Sequence, residues 1–102
     1  MADQESPEIE YLRQQQAKRI MDYYGGAQTV MDVAQRKLRE LRLADKQDQA
    51  ERLSDFLTHL NRHLTTMADW VDRDEIVDET KLGEYLAVNW SEQLYALLGE
   101  QT

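Results

Sequence analysis

Apolar residues recur at intervals of three and four along nearly the whole chain, and that period predicts helices. The clearest run is Ala50, Leu53, Leu57, Leu60, Leu64, Met67 and Val71. It is an unbroken a/d heptad series and predicts a helix over 46–72. Phe56 and Trp70 widen its stripe along the flanking g positions. Ile9, Leu12, Ile20, Tyr23 and Tyr24 mark an earlier helix over 7–24, with Gln16 as a polar gap in the stripe. Val30, Val33, Ala34, Leu38 and Leu41 mark another over 27–43. Leu82, Tyr85, Leu86, Trp90, Leu94 and Leu97 mark a last one over 80–98. On the other side of that last helix, Val88 and Tyr95 stand seven apart as a second apolar strip. The expected fold is all-α: an elongated bundle of four helices in one domain, a three-helix core plus a C-terminal fourth. At 1.5 Å per residue the 46–72 helix would be roughly 40 Å long, against a radius of gyration near ~13 Å for a compact chain of this size.

The boundaries rest on local signals. Ser6 is placed to cap the first helix, Pro7 suits its first position, and Glu8 and Glu10 favour its positive end; residues 1–6 are expected to be flexible. Gly25-Gly26 is expected to end that helix, because glycine adopts the left-handed conformation at little cost. "LADKQDQ" has neither glycine nor proline, yet the apolar phase jumps there. Continuing the 27–43 stripe would land on Asp45 and Asp48, so a turn is expected, with Asp45 as the new N-cap. "RDEIVDE" (73–79) reads as an acidic connector, and Gly99 as the residue just past the last helix.

Composition adds bounds. Hydrophobic residues make up 41% of the chain and charged residues 31%, which is enough apolar material for a core and argues against disorder. No apolar run reaches the 18 or so residues of a membrane span, and the N-terminus has no apolar segment typical of a secretory signal, so a cytoplasmic location is the default expectation. No cysteine is present, which excludes disulfides and thiolate metal sites.

Charge is divided unevenly. The net charge is −8, but residues 1–53 hold nine Lys/Arg against ten Asp/Glu. Residues 54–102 hold three against ten, a net of −7. Direct nucleic-acid binding would need a positive footprint, so it is not expected. A protein partner with a basic surface fits better, as does a homodimer. Arg36, Lys37, Arg39, Arg42 and Lys46 form a small basic cluster without the interleaved aromatics of a nucleic-acid site. It reads as a solvated face pairing with the acidic half, within or between chains.

Candidate chemistry is sparse. Asp55, His59 and His63 step by four and could line one side of a helix as metal ligands. The spacing matches neither H-E-x-x-H nor E-x-x-H, because Phe56 and Leu60 stand three before the two histidines. In the heptad frame His59 faces outward and His63 lies at the core edge, so surface and rim is the favoured reading. The acidic run from Asp69 to Glu84 fails as a calcium loop, since the sixth position from Asp72 is Val77 and not glycine. "LYALL" (94–98) is explained as core, although L-x-x-L-L can enter a partner's groove. Tyr23, Tyr24 and Arg19 are candidates for a ligand pocket beside Trp70 or Trp90. Ser54 and Ser91 read as helical, and no serine sits in a glycine-framed turn, so nucleophilic catalysis gets no support.

These observations point to a non-enzymatic interaction module, an adaptor, regulator or inhibitor, with no cofactor. Asp72, Asp74, Glu75, Asp78 and Glu79 would make its polar contacts, and Val88 and Tyr95 its apolar one. In the extreme, the acidic patch would imitate a DNA backbone and block a nucleic-acid-handling protein. The alternative is a metal- or small-ligand-binding bundle using Asp55, His59 and His63.

Overall fold

The computed structural model describes residues 7–100, and every regular element among them is an α-helix. α1 runs Pro7–Leu43, α2 Gln47–Asp72, α3 Glu79–Leu86 and α4 Trp90–Glu100. α1 and α2 form an antiparallel hairpin, and α3 and α4 are two pieces of one bent C-terminal arm laid back along it. The molecule measures 63 × 19 × 16 Å with a radius of gyration of 17.4 Å. The expected elongation is therefore present, but α1 supplies it: 37 residues span about 55 Å. The Ser6 cap and the flexible segment expected at 1–6 lie outside the described residues. Among the described residues, no helix is long and apolar enough to cross a membrane.

Gly25-Gly26 does not end a helix, contrary to the expectation. No glycine has a positive φ, and α1 runs straight through the pair. Glycine permits a break without requiring one, at a cost of roughly 0.5–1 kcal/mol per residue relative to alanine. Burial on both sides outweighs that cost. Ile20, Ala27, Ala34 and Leu41 step by sevens and are all buried, with Leu38 beside them, so one face of α1 is continuous across the glycines.

The turn between α1 and α2 is where the phase jump placed it, but Asp45 has a different job. It sits at φ 59°, the left-handed residue after α1, and α2 is preceded by Lys46 with no side-chain cap. The Asp45 N–H donates to the Arg42 carbonyl at 3.1 Å and the Lys46 N–H to the Leu41 carbonyl at 2.9 Å. That pair of bonds is the Schellman closure, in a position usually given to glycine. α2 ends the same way. Asp74 sits at φ 53°, its N–H bonded to the Val71 carbonyl (3.1 Å), with the Glu75 N–H on the Trp70 carbonyl (3.0 Å). Aspartate tolerates this conformation better than most residues with a side chain.

The helix expected over 80–98 is broken at Ala87–Asn89. Ala87 closes the first piece, its N–H on the Gly83 carbonyl, and Asn89 starts the next: its Oδ1 accepts from the Glu92 N–H at 3.0 Å. The Tyr23 hydroxyl donates to the Val88 carbonyl at 2.6 Å and holds the bend against α1. Asp78 caps α3 in the same manner, accepting from the Lys81 N–H at 3.2 Å.

Two apolar clusters fill the interior. One, toward the hairpin turn, joins Ala27, Ala34, Leu38, Leu41, Ala50, Leu53, Phe56, Leu60 and Leu64 with Leu94 of α4. The other, at the opposite end, joins Ile20, Met67, Trp70, Val77 and Leu82 of α3. Tyr23 packs against both. On α2 the g-position residues Phe56 and Trp70 are buried, while the a/d residues Leu57 and Val71 are only half-buried. The arm covers the g side, which pulls the buried stripe off the strict heptad seam.

At the outer edge of the second cluster, one turn before Ile20, a polar side chain is fully enclosed. Gln16 is 2% exposed. Its Nε2 donates to the Val77 carbonyl (2.8 Å) and its Oε1 accepts from the Val77 N–H (2.9 Å). The same Nε2 lies 3.1 Å from Glu79 Oε1. Gln16 thus satisfies both backbone groups of a buried connector residue and ties residues 73–78 to α1.

Candidate functional site

The g column of α2 builds the most chemically varied region. Phe56, His63 and Trp70 are seven apart and face the arm, which offers Tyr85 and Trp90. The His63 and Tyr85 rings stack at 4.6 Å between centroids. Trp90 meets His63 edge-on at 5.3 Å and Phe56 at 5.7 Å. Trp70 meets Tyr85 edge-on at 4.8 Å, with Lys81 Nζ 5.5 Å from its centre, and Tyr23 approaches His63 at 5.9 Å. His63 Nε2 lies 2.9 Å from the Tyr85 carbonyl, so that nitrogen carries the proton. Burial lowers the His63 pKa below its usual 6.5, and the carbonyl opposes that shift by less. Burial raises the Tyr23 hydroxyl above its usual value, opposed less strongly by the nearby Trp90 indole. The Trp90 Nε1 is buried and closes no hydrogen bond of ordinary geometry.

Outside this wall runs an open groove of about 440 Å³, lined by Phe56, His59, Arg62, His63, Thr66, Tyr85, Trp90 and Gln93. His59 and His63 therefore share a groove, but Asp55 is exposed and does not line it. Among the described residues no three His, Asp or Glu side chains come together in a way that could hold a metal ion. One imidazole nitrogen of His63 is already committed to Tyr85. The heptad frame puts His59 outward and His63 at the core edge, and the structure has His59 exposed and His63 half-buried against Tyr85 and Trp90.

The five acidic candidates do not form a free patch. Glu79 pairs with Arg19 at 3.0 Å. Its carboxyl is held below its usual pKa first by Gln16 and then by Arg19. Glu75 lies 3.8 Å from Arg73, which also holds Asp69 at 3.1 Å. Asp78 is the α3 cap. Asp74 closes the end of α2, with its side chain exposed, and Asp72 is exposed. Arg19 is thereby used in a surface ion pair; Tyr24 packs against the core and only Tyr23 shares a groove with Trp90. The basic cluster pairs locally, Lys37 with Glu40 at 3.6 Å; among the described residues no ion pair joins it to the acidic half.

Val88 and Tyr95 do not share a strip. Val88 lies in the bend, half-buried, its carbonyl held by Tyr23. Tyr95 is 76% exposed on α4. It borders an apolar groove of about 190 Å³ between α1 and α4, lined by Thr29, Val30, Val33, Ser91, Leu94, Tyr95 and Leu98. Within "LYALL", Leu94 is buried and Leu97 and Leu98 pack against the core, as expected. The groove's α1 wall departs from the expected apolar stripe: Val33, one of its members, is 45% exposed. Seventeen residues of α1 separate Gln16, beside the acidic connector, from Val33, or about 25 Å. The acidic and apolar candidates thus belong to two places on the molecule.

No family model matches the chain, and no curated protein or solved structure matches it.

Proposed function

We propose that this protein is a non-enzymatic interaction module whose protein partner docks on the groove between α1 and α4. The observation that carries the reading is Tyr95, an aromatic side chain 76% exposed at the edge of an apolar groove that also has Val33 on its rim. Exposed aromatics beside a pocket are the usual anchors of protein interfaces, and the groove's size suits one or two side chains of a partner helix. The acidic half contributes differently than its residue count suggests. Glu75, Asp78 and Glu79 are engaged within the chain, which leaves Asp72 and Asp74 as exposed carboxylates about 25 Å away. A net charge of −8 still draws a basic partner at long range, which speeds encounter more than it tightens the complex.

The test is comparative affinity purification from the native host with three baits: wild type, Tyr95→Ala combined with Val33→Asp, and Asp72→Asn combined with Asp74→Asn. The expected partner binds wild type and the acid-neutralised bait and is lost from the groove variant. With the purified partner, Tyr95→Ala alone weakens binding by about thirtyfold, the effect of losing one anchor worth ~2 kcal/mol. Equal capture by all three baits removes the groove from consideration. Light scattering on the purified chain distinguishes a foreign partner from a second copy.

A further inference from the structure

The open groove between α2 and the C-terminal arm differs in charge from the rest of the molecule. The chain has 20 Asp and Glu against 12 Lys and Arg, yet no carboxylate is among the groove's lining residues. Its charged contribution is Arg62, with His59 beside it. Four other grooves along the described residues contain Asp22, or Arg13 with Asp74 and Glu75, or Lys46 with Asp45 and Asp48, or no charged residue at all. Among the described residues, the side chains of Arg62, His59 and Gln93 make no ion pair or hydrogen bond. Arg62 comes from α2 and Gln93 from α4, so two uncommitted donors stand on opposite walls.

The floor is aromatic and already assembled. His63, Tyr85, Trp90 and Phe56 hold one another at centroid separations of 4.6, 5.3 and 5.7 Å. A ring entering here meets a wall that needs no reordering, which removes one of the usual costs of binding. Burial keeps His63 neutral, so it adds apolar surface and not a second charge. The volume, about 440 Å³, lies in the ordinary range for small-molecule sites.

We propose that this groove binds a small aromatic carboxylate, its ring against Trp90, Tyr85 and Phe56 and its carboxylate on the Arg62 guanidinium, with the Gln93 amide as second donor. A guanidinium presents paired N–H groups that match the two oxygens of a carboxylate. One arginine matches a monoanion; a phosphate dianion would find too little positive charge on a chain of this sign. The groove shares no lining residue with the α1–α4 groove, so the two proposals stand or fall separately.

The test is a ¹H–¹⁵N NMR titration of the full chain with sodium benzoate, with benzamide and inorganic phosphate as separate arms. Benzoate should shift the Trp90 indole and the Arg62 Nε–H signals saturably, with a Kd of about 1–10 mM, as expected for a ligand of nine heavy atoms. Benzamide, the same shape without the charge, should bind roughly tenfold more weakly. Arg62→Gln should lower benzoate affinity by a similar factor while the melting temperature stays unchanged, since Arg62 is exposed. Three results would overturn the proposal: no saturable shift at these signals, equal affinity for benzamide or phosphate, or an Arg62→Gln protein that binds benzoate as wild type does.

Discussion

Replacing Gln16 with leucine tests the packing logic most directly. The side chain is nearly the same size and can still fill its place between α1 and the connector. What it cannot do is serve Val77. The Val77 N–H and carbonyl now bond to Gln16 at 2.9 and 2.8 Å, and the Val77 side chain is buried in the cluster with Met67, Trp70 and Leu82. Leaving one buried polar group unpaired costs about 1–3 kcal/mol. Two such groups, less the added apolar burial of leucine and some relaxation of the connector toward water, come to about 2–4 kcal/mol. For a chain of this length that lowers the melting temperature by roughly 10–25 °C. Thermal and urea unfolding followed by circular dichroism measure the global loss. Hydrogen exchange at the Val77 amide measures the local one, and its protection should fall. Gln14→Leu, an exposed neighbour on the same helix, is the control and should stay within about 0.5 kcal/mol of wild type. If Gln16→Leu also stays within that margin, the paired amide is not what ties the connector to α1.

Two further outcomes follow from the same geometry. Gly25→Ala and Gly26→Ala should each stabilise the protein by about 0.5–1 kcal/mol, because both glycines are helical and a Cβ at either meets open space; a loss of stability in urea titrations would mean that the pair serves flexibility. His63 is held below its usual pKa by burial, so its neutral form is the folded one: this contribution is complete above pH 6.5 and is lost as pH falls through the depressed folded value. The wild-type melting temperature should therefore drop between pH 7 and pH 5, and His63→Gln, which keeps a donor for the Tyr85 carbonyl, should flatten that drop. Glu79 acts in a separate window, below its usual 4.5, so an unchanged slope in the variant at pH 5–7 would rule out His63 as its source.

The helical class, the elongation and the core of α2 were legible because period and burial agree there. Leu53, Leu60, Leu64 and Met67 recur at helical spacing and are among the most deeply buried residues. The continuity of α1 was also written in the chain. Gln16, Ile20, Tyr23, Ala27, Val30, Ala34, Leu38 and Leu41 step by threes and fours through the glycines. That stripe is the stronger signal, because glycine permits a helix end without requiring one. The helix ends at Asp45 and Asp74 were harder to read, because left-handed aspartate has no marker that separates it from a capping aspartate. The Gln16–Val77 bonds join residues 61 apart, and no local pattern announces such a pair. The acidic candidates failed for a related reason: a count of carboxylates says nothing of Arg19, which the fold brings beside Glu79, or of Arg73, which stands two residues from Glu75.

The bend at Ala87–Asn89 determines which part of the arm faces outward. A straight helix over 80–98 would carry one apolar face along one line, while the hairpin presents two clusters at different heights. α3 buries Leu82 in one and α4 buries Leu94 in the other, and the bend lets each piece rotate to its own cluster. Asn89 supplies a cap for the new start, and the Tyr23 hydroxyl satisfies the carbonyl that the break exposes. Once Leu94 is seated, Tyr95 is turned about 100° around the helix from it and must face solvent beside α1. Its exposure is thus set by the seating of α4 and not by a seven-residue repeat from Val88. The groove between α1 and α4 exists for the same reason. Ala27 and Ala34 sit inward on α1, and Val30 and Val33 are left along the edge that α4 approaches without covering. The proposed docking surface and the C-terminal packing therefore share one cause, and a partner that closes the groove also holds α4 against the hairpin.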